Sequence, residues 1–281
     1  MSEDFLELMA RASHERVARS RALCSESVLQ ALAHASSVPP PLELSAQGFD
    51  LIAEVKLRSP AAGALQGPAA DIGTRVNDYA TGGAAAISVL TEPTRFDGEL
   101  AHLRQAALAL AARIPAMRKD FLVDPYQVYE ARAAGAGGVL LILRMLAPER
   151  IMALLDAAAE LQLFALLEAF DEADLEFAAQ LVHAYGARAR LLVGVNCRDL
   201  SSLKVVPGRL EALAPRLPGS VPGVAESGVA SPADAARLAR AGYSVALVGS
   251  ALMQAEDRAG FARALLAAGR LARQSALGME S

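Results

Sequence analysis

Eight short apolar runs, each followed by an alanine-rich, charged stretch, limit what this chain can fold into. They are LIAEVK (51–56), AAAISVLT (84–91), IPAMRKD (114–120), GVLLIL (138–143), LFALLEA (163–169), LLVGVN (191–196), PGVAES (222–227) and SVALVGS (244–250). Each is apolar enough to be buried on both faces, as the strands of a parallel sheet are. They recur about every 22 to 35 residues, which suits a strand-plus-helix unit. The stretches between them carry helix punctuation. SPADAARLARAGY offers Ser231 as N-cap, Pro232 at the first helical position and Gly242 as the stop. DPYQVYEARAAGA repeats the arrangement with Asp124, Pro125 and Gly135.

Eight such units close into a (β/α)8 barrel or open into a doubly wound sheet. No G-x-G-x-x-G follows the first run, which weighs against a dinucleotide-binding sheet. At 281 residues the chain suits a single α/β barrel. Residues 3–36 read as one or two amphipathic helices. PPPLELSAQG, from Pro39 to Gly48, connects them to the barrel on an extended path. The expected organisation is an N-terminal helical extension over residues 1–48, packed on the barrel mouth, and a catalytic barrel over 49–281. The two form one structural domain.

Bulk chemistry excludes several classes. The chain is 53% hydrophobic and 5% aromatic, so alanine, leucine and valine must build its core. Its net charge of −4 comes with no basic stripe, which argues against nucleic acid. Cys24 and Cys197 stand far apart and no Cys/His spacing suits zinc, so no metal is expected. The N-terminal MSEDFLELMARASHERVARS lacks a signal-peptide core, and no apolar run reaches the roughly 20 residues of a membrane helix. The expectation is a cytoplasmic protein, a monomer or weak homodimer, with no membrane partner.

Polar residues within the runs gather at their C-terminal ends: Glu54 and Lys56, Ser88, Lys119, Glu168, Asn196, Glu226 and Ser227, and Ser250. In a barrel those ends share the rim where active sites sit. Glu54 and Lys56 are two apart and face one side of their strand. A single Lys–Glu pair is as well read as a structural ion pair. So many strands ending this way favours a site, because desolvating unpaired ions costs several kcal/mol each. The loops ESGVAS and VGSALM put a small Ser/Gly pair before a helix, where backbone N–H groups accept an anion.

Seven stretches resemble indole-3-glycerol phosphate synthases: AEVKLRSPAAG (53–63), AISVLTEPTRFDG (86–98), RKDFLVDPYQVYEARAAGA (118–136), LLEAFDEADLE (166–176), VGVNCRDL (193–200), VAESGV (224–229) and LVGSALM (247–253). The resemblance implies a (β/α)8 barrel with an extra N-terminal helical segment over its mouth. It implies ring closure of 1-(2-carboxyphenylamino)-1-deoxyribulose 5-phosphate to indole-3-glycerol phosphate, CO2 and water, with no cofactor. By the same resemblance Lys119 is the general acid at the carbonyl. Lys56 steers the substrate carboxylate and is a second candidate acid for the dehydration, in which Glu168 is the acid/base partner. Glu54 and Asn196 hold the lysines and substrate hydroxyls in place. The phosphate lies on Ser227, Gly228, Gly249 and Ser250, with Ser59 nearby, and Arg198 meets a carboxylate or hydroxyl. Phe96, Phe121, Leu140, Leu200 and Leu203 line the pocket of the anthranilate ring. Pro60, Glu226, Leu247 and Val248 complete the expected substrate-binding set.

Three positions depart from the family pattern. Ala61 stands where a second serine is usual, Ala169-Phe170 where Val-His often follows the glutamate, and Cys197 where Asn or Ser is common. None removes a proposed catalytic residue. They leave open a paralogue that serves a specialised indole pathway, or one that only binds a phosphorylated metabolite. Another sugar-phosphate barrel enzyme is a further alternative. An isomerase would need a Cys/Asp pair at the strand ends, which is absent, and an aldolase would form a trappable imine.

Overall fold

The computed structural model describes residues 4–59, 63–64, 72–199 and 204–278. The eight runs form eight parallel strands. They are β1 (Asp50–Val55), β2 (Ala86–Leu90), β3 (Ala116–Lys119), β4 (Gly138–Ile142), β5 (Phe164–Ala169), β6 (Leu191–Asn196), β7 (Gly223–Glu226) and β8 (Val245–Val248). They pair in sequence order and β8 pairs back onto β1, closing the barrel. Their outward side chains, among them Leu51, Ile87, Val139, Val193 and Ala246, join one apolar layer with the surrounding helices. Their inward ones, among them Ile52, Met117, Leu166, Leu192 and Val224, form a second cluster inside the barrel. This double burial is why the runs are continuously apolar rather than alternating.

The main helices are α1 (Phe5–Leu23), α2 (Glu26–Ala35), α3 (Ile72–Thr81), α4 (Leu100–Leu110), α5 (Pro125–Ala133), α6 (Pro148–Glu160), α7 (Glu172–Tyr185), α8 (Arg209–Leu213), α9 (Pro232–Ala241), α10 (Ser250–Gln254) and α11 (Arg258–Gly278). Caps set the boundaries the sequence marks. Ser231 accepts the N–H of Asp234 to start α9, and Gly242 ends it at φ 116°. Asp124 accepts the N–H of Tyr126 to start α5. Ser25 separates α1 from α2 by accepting the N–H of Val28. Two features fall outside the eight-unit pattern: a two-residue ribbon pairing Arg58–Ser59 with Gly63–Ala64, and a single helical turn at Pro93–Phe96.

The N-terminal segment touches both ends of the barrel. On α1, Leu6 and Met9 are buried in the interior cluster with Phe121, Ile142 and Phe170. The chain then runs along α5, where Arg132 donates to the carbonyls of Ser36 and Ser37. It passes beneath the strands, with Pro39 and Pro40 against Gly137 at the foot of β4. Leu42, 2% exposed, joins Ile52, Ala86 and Phe164 and closes the floor. Among the described residues no helix is long and apolar enough to cross a membrane.

Candidate active site

The register stacks the inward side chains in levels. Glu54 pairs with Ser88, Ser88 with Met117, Ile142 with Glu168, Glu168 with Gly194, and Asn196 with Glu226. In such a barrel alternate strands share a level. The odd strands place Glu54, Lys119, Glu168 and Glu226 on one level. The even strands place Ser88, Leu140, Gly194 and Leu247 below it, and Leu90, Ile142, Asn196 and Gly249 above. Apart from Ser88, the barrel is apolar up to one storey, and it is ionic at the next.

The ions are tied to one another. Lys56 Nζ, just past the end of β1, donates to Glu54 Oε1 at 2.7 Å. Lys119 Nζ donates to Glu226 Oε2 at 3.2 Å and lies 3.9 Å from Glu168 Oε1. Asn196 Nδ2 donates to Glu168 Oε1. Its Oδ1 accepts from Ser227 Oγ and from the N–H of Arg198, each at 2.9 Å. Ser227 sits at φ 67°, a left-handed backbone that costs a residue with a Cβ, and the Asn196 bond holds it there.

Two glycines make room for carboxylates. A Cβ on Gly194 would collide with Glu226 Oε1, and one on Gly249 would collide with Glu54 Oε1 and come within 3.0 Å of Lys56 Nζ. Gly249 therefore has a packing reason as well as the expected phosphate one.

Burial and neighbours set the proton affinities. Burial pushes the Glu226 carboxyl up to about 8; Lys119 beside it offsets part of that, while Glu168 adds to it. Burial alone would lower Lys119, but Glu168, Glu226 and Glu54 outweigh it and hold the ammonium above its ordinary value. Glu54 goes the other way. Burial would raise it, yet Lys56, Lys119 and Arg198 keep it below the usual carboxylate range. Glu226 Oε1 is buried with no hydrogen-bond partner, as is Ser88 Oγ one level down.

Above the ionic level opens a cavity of about 640 Å³. Glu54, Lys56, Lys119, Glu168, Asn196, Arg198 and Glu226 line it. Phe96, Phe121 and Leu140 stand on one side, and Ser227, Gly228, Leu247, Val248, Gly249 and Ser250 on the other. Ser59 closes the short ribbon through its backbone. Pro60, Leu200 and Leu203 lie outside the described residues. The structure adds wall residues that sequence reasoning missed. Leu90 and Ile142 were within reach, since both end strands on the inward period. Phe5, Val205, Gln254 and Phe261 come from elements outside the barrel strands and carry no local signal. Phe5 meets the edge of Phe121 at 5.8 Å between centroids, and Phe96 lies 6.3 Å from Phe121. Of the departures, Phe170 lies under the Arg144 guanidinium at 4.9 Å, and the Cys197 thiol sits against Gly228. Among the described residues no three His, Cys, Asp or Glu side chains form a group suited to a metal ion.

The arrangement is a largely buried acid–base floor between an aromatic wall and a Ser/Gly wall. The family model described as indole-3-glycerol phosphate synthase matches residues 6–265. The indole-3-glycerol phosphate synthase of Nocardioides sp. is 47% identical over 218 residues, covering 78% of this chain and 80% of that protein. That of Kineococcus radiotolerans is 40% identical over 262 residues, covering 91% and 92%. Among solved structures, 3-hexulose-6-phosphate synthase from Salmonella typhimurium superposes with a TM-score of 0.59 at 17% identity, over 81% of this chain and all of that one. Thiamine phosphate pyrophosphorylase from Pyrococcus furiosus gives 0.55 at 18%, over 83% and 98%. At those identities the structures share the fold alone.

Proposed function

The chain belongs to the indole-3-glycerol phosphate synthase family of carboxy-lyases, and from that premise we propose how its residues divide the reaction. The observation that carries the reading is the single ionic level, with Lys119 held between Glu168 and Glu226 where the aromatic and Ser/Gly walls converge. The substrate has matching parts: an aromatic carboxylate at one end, a phosphate at the other and a carbonyl between.

In this reading the anthranilate ring lies against Phe96, Phe121 and Leu140. The phosphate takes N–H bonds around Gly228, Gly249 and Ser250, and Lys56 faces the substrate carboxylate. The ring carbon bearing that carboxylate forms a bond to C2′. The carbonyl π electrons take a proton from the Lys119 ammonium, and the oxygen becomes a hydroxyl. The bond to the carboxylate breaks, CO2 leaves, and its electron pair restores the aromatic ring. One of Glu168 and Lys56 then gives a proton to the departing hydroxyl, a carboxylate of the ionic level takes the proton that the adjacent carbon loses, and the C–H electron pair forms the double bond that completes the indole as water leaves. Positioned acids of this kind contribute about 10²- to 10⁴-fold each. Glu54 and Asn196 act by holding Lys56 and Glu168. The cytoplasm, where soluble phosphorylated intermediates are available, is the compartment this chemistry suits.

The test is direct. The protein is mixed with the carboxyphenylamino-deoxyribulose phosphate, and product is followed by indole fluorescence. The chain has no tryptophan, so the product's signal stands clear. Product formation supports the reading. Binding without product would make the cavity a receptor and overturn it.

A further inference from the structure

Helix α1 carries one side chain, Arg16, that joins two loops bordering the cavity. Arg16 Nη2 meets Asp120 Oδ1 at 2.6 Å, and its Nη1 meets Glu92 Oε1 at 3.3 Å. Both carboxylates are buried, with side-chain exposures of 0% and 1%. Each is built into a loop that presents an aromatic ring. Asp120 accepts the N–H of Phe121 at 2.8 Å and the hydroxyl of Thr91 at 2.7 Å. Glu92 accepts the N–H groups of Thr94 at 2.8 Å and Arg95 at 2.7 Å, capping the turn that ends in Phe96. One turn earlier on α1, Ser13 donates to the carbonyl of Phe121, and α1 itself begins with Phe5. Three rings on three elements thus stand side by side, Phe5 edge-on to Phe121 and Phe96 tilted against it, on segments that Arg16 and Ser13 tie together.

We propose that Arg16 is a positioning residue that sets the aromatic wall of the cavity by fixing the Phe121 loop, the Phe96 turn and helix α1 at one spacing. This rests on the reading that an aromatic ring of the substrate seats there. Arg16 touches neither the ionic floor nor the Ser/Gly wall, so its effect belongs to binding of the ring. Removing it leaves both carboxylates partnered. Asp120 keeps Arg118 Nη2 at 3.2 Å, and Glu92 keeps its backbone donors. Asp120 thus keeps a countercharge, whereas Glu92 keeps hydrogen bonds alone, so the test includes a check that the variant folds.

Arg16→Met and Arg16→Lys would be compared with wild type in three measurements: KM and kcat for the substrate, the dissociation constant of 2-aminobenzoate by its fluorescence, and the inhibition constant of inorganic phosphate. The expected result for Arg16→Met is a tenfold or larger rise in KM and in the 2-aminobenzoate constant. Its kcat should stay within threefold and its phosphate constant within twofold. Arg16→Lys, which can hold one carboxylate at a time, should recover part of the loss. A folded Arg16→Met protein, shown by circular dichroism, that binds 2-aminobenzoate as wild type does would overturn the proposal. So would a parallel weakening of phosphate, which would mean the whole cavity had relaxed. If wild type makes no product, the functional reading fails, while the 2-aminobenzoate titration still decides the role of Arg16.

Discussion

Glu226 Oε1 fills the place where a side chain on residue 194 would begin. The two residues sit on neighbouring strands, one a step below the other, and the carboxylate exists in this pose because its neighbour is glycine. Gly194→Ala should therefore push Glu226 off Lys119. The expected cost is about 1–3 kcal/mol of stability, typical of overpacking a filled core, and a fall in kcat of more than tenfold. Gly73→Ala is the control: its added Cβ would make an ordinary contact with Ala109 at 3.7 Å. Thermal melts and steady-state kinetics of the pair check this. Equal behaviour of the two variants would remove the spatial argument.

Lys119→Ala should lower kcat by about 10² to 10⁴, the range for loss of one general acid. Substrate affinity should change far less, because the lysine's main contribution lies in the transition state. Single-turnover kinetics beside a binding titration would show the split. Normal turnover would remove Lys119 from the mechanism.

Ser250→Ala should act mildly and mainly on KM. The backbone N–H groups of Gly249 and Ser250 remain available to the phosphate when the hydroxyl goes. A large fall in kcat with unchanged KM would contradict the placement of the phosphate there.

The raised proton affinity of Glu226 ties stability to pH. Its carboxyl goes from an ordinary value of 4.5 to about 8 on folding. A folded-state pKa above the unfolded one stabilises fully below the unfolded value, and that stability is lost as pH rises toward 8. Glu226→Gln lacks this loss. Its melting temperature relative to wild type should therefore climb between pH 5 and pH 8. Each pKa unit is worth about 1.4 kcal/mol, so the swing is at most a few kcal/mol. A constant difference across that range would show that Glu226 ionises normally.

Much of the barrel was legible because its strands are buried on both faces, so each run shows up locally as apolar. Their ends were less so. Lys56 reads as the last residue of a strand, but β1 closes at Val55 and Lys56 leans back onto Glu54 from the loop. The ionic level was visible as polar residues at strand ends, and its division between odd and even strands emerges only once the register is known. What stayed hidden depends on distant partners. Nothing near Leu42 says that it meets Phe164, nothing near Arg16 points to Asp120, and Gly194 looks like any strand glycine until Glu226 is beside it.

The route of the first 48 residues bears on how the protein is made. Leu42 emerges from the ribosome long before β5 supplies Phe164, and α1 long before β3 and β4 supply its seat. A segment synthesised before the barrel strands is therefore among the last to find its partners. Until then its apolar face is exposed, and closure of the barrel at both ends waits for mid-chain sequence. Such long-range contacts slow folding and lengthen the time an unfinished chain can aggregate. The segment that lines the cavity through Phe5 and closes the far end of the barrel through Leu42 in the finished protein is a liability during synthesis.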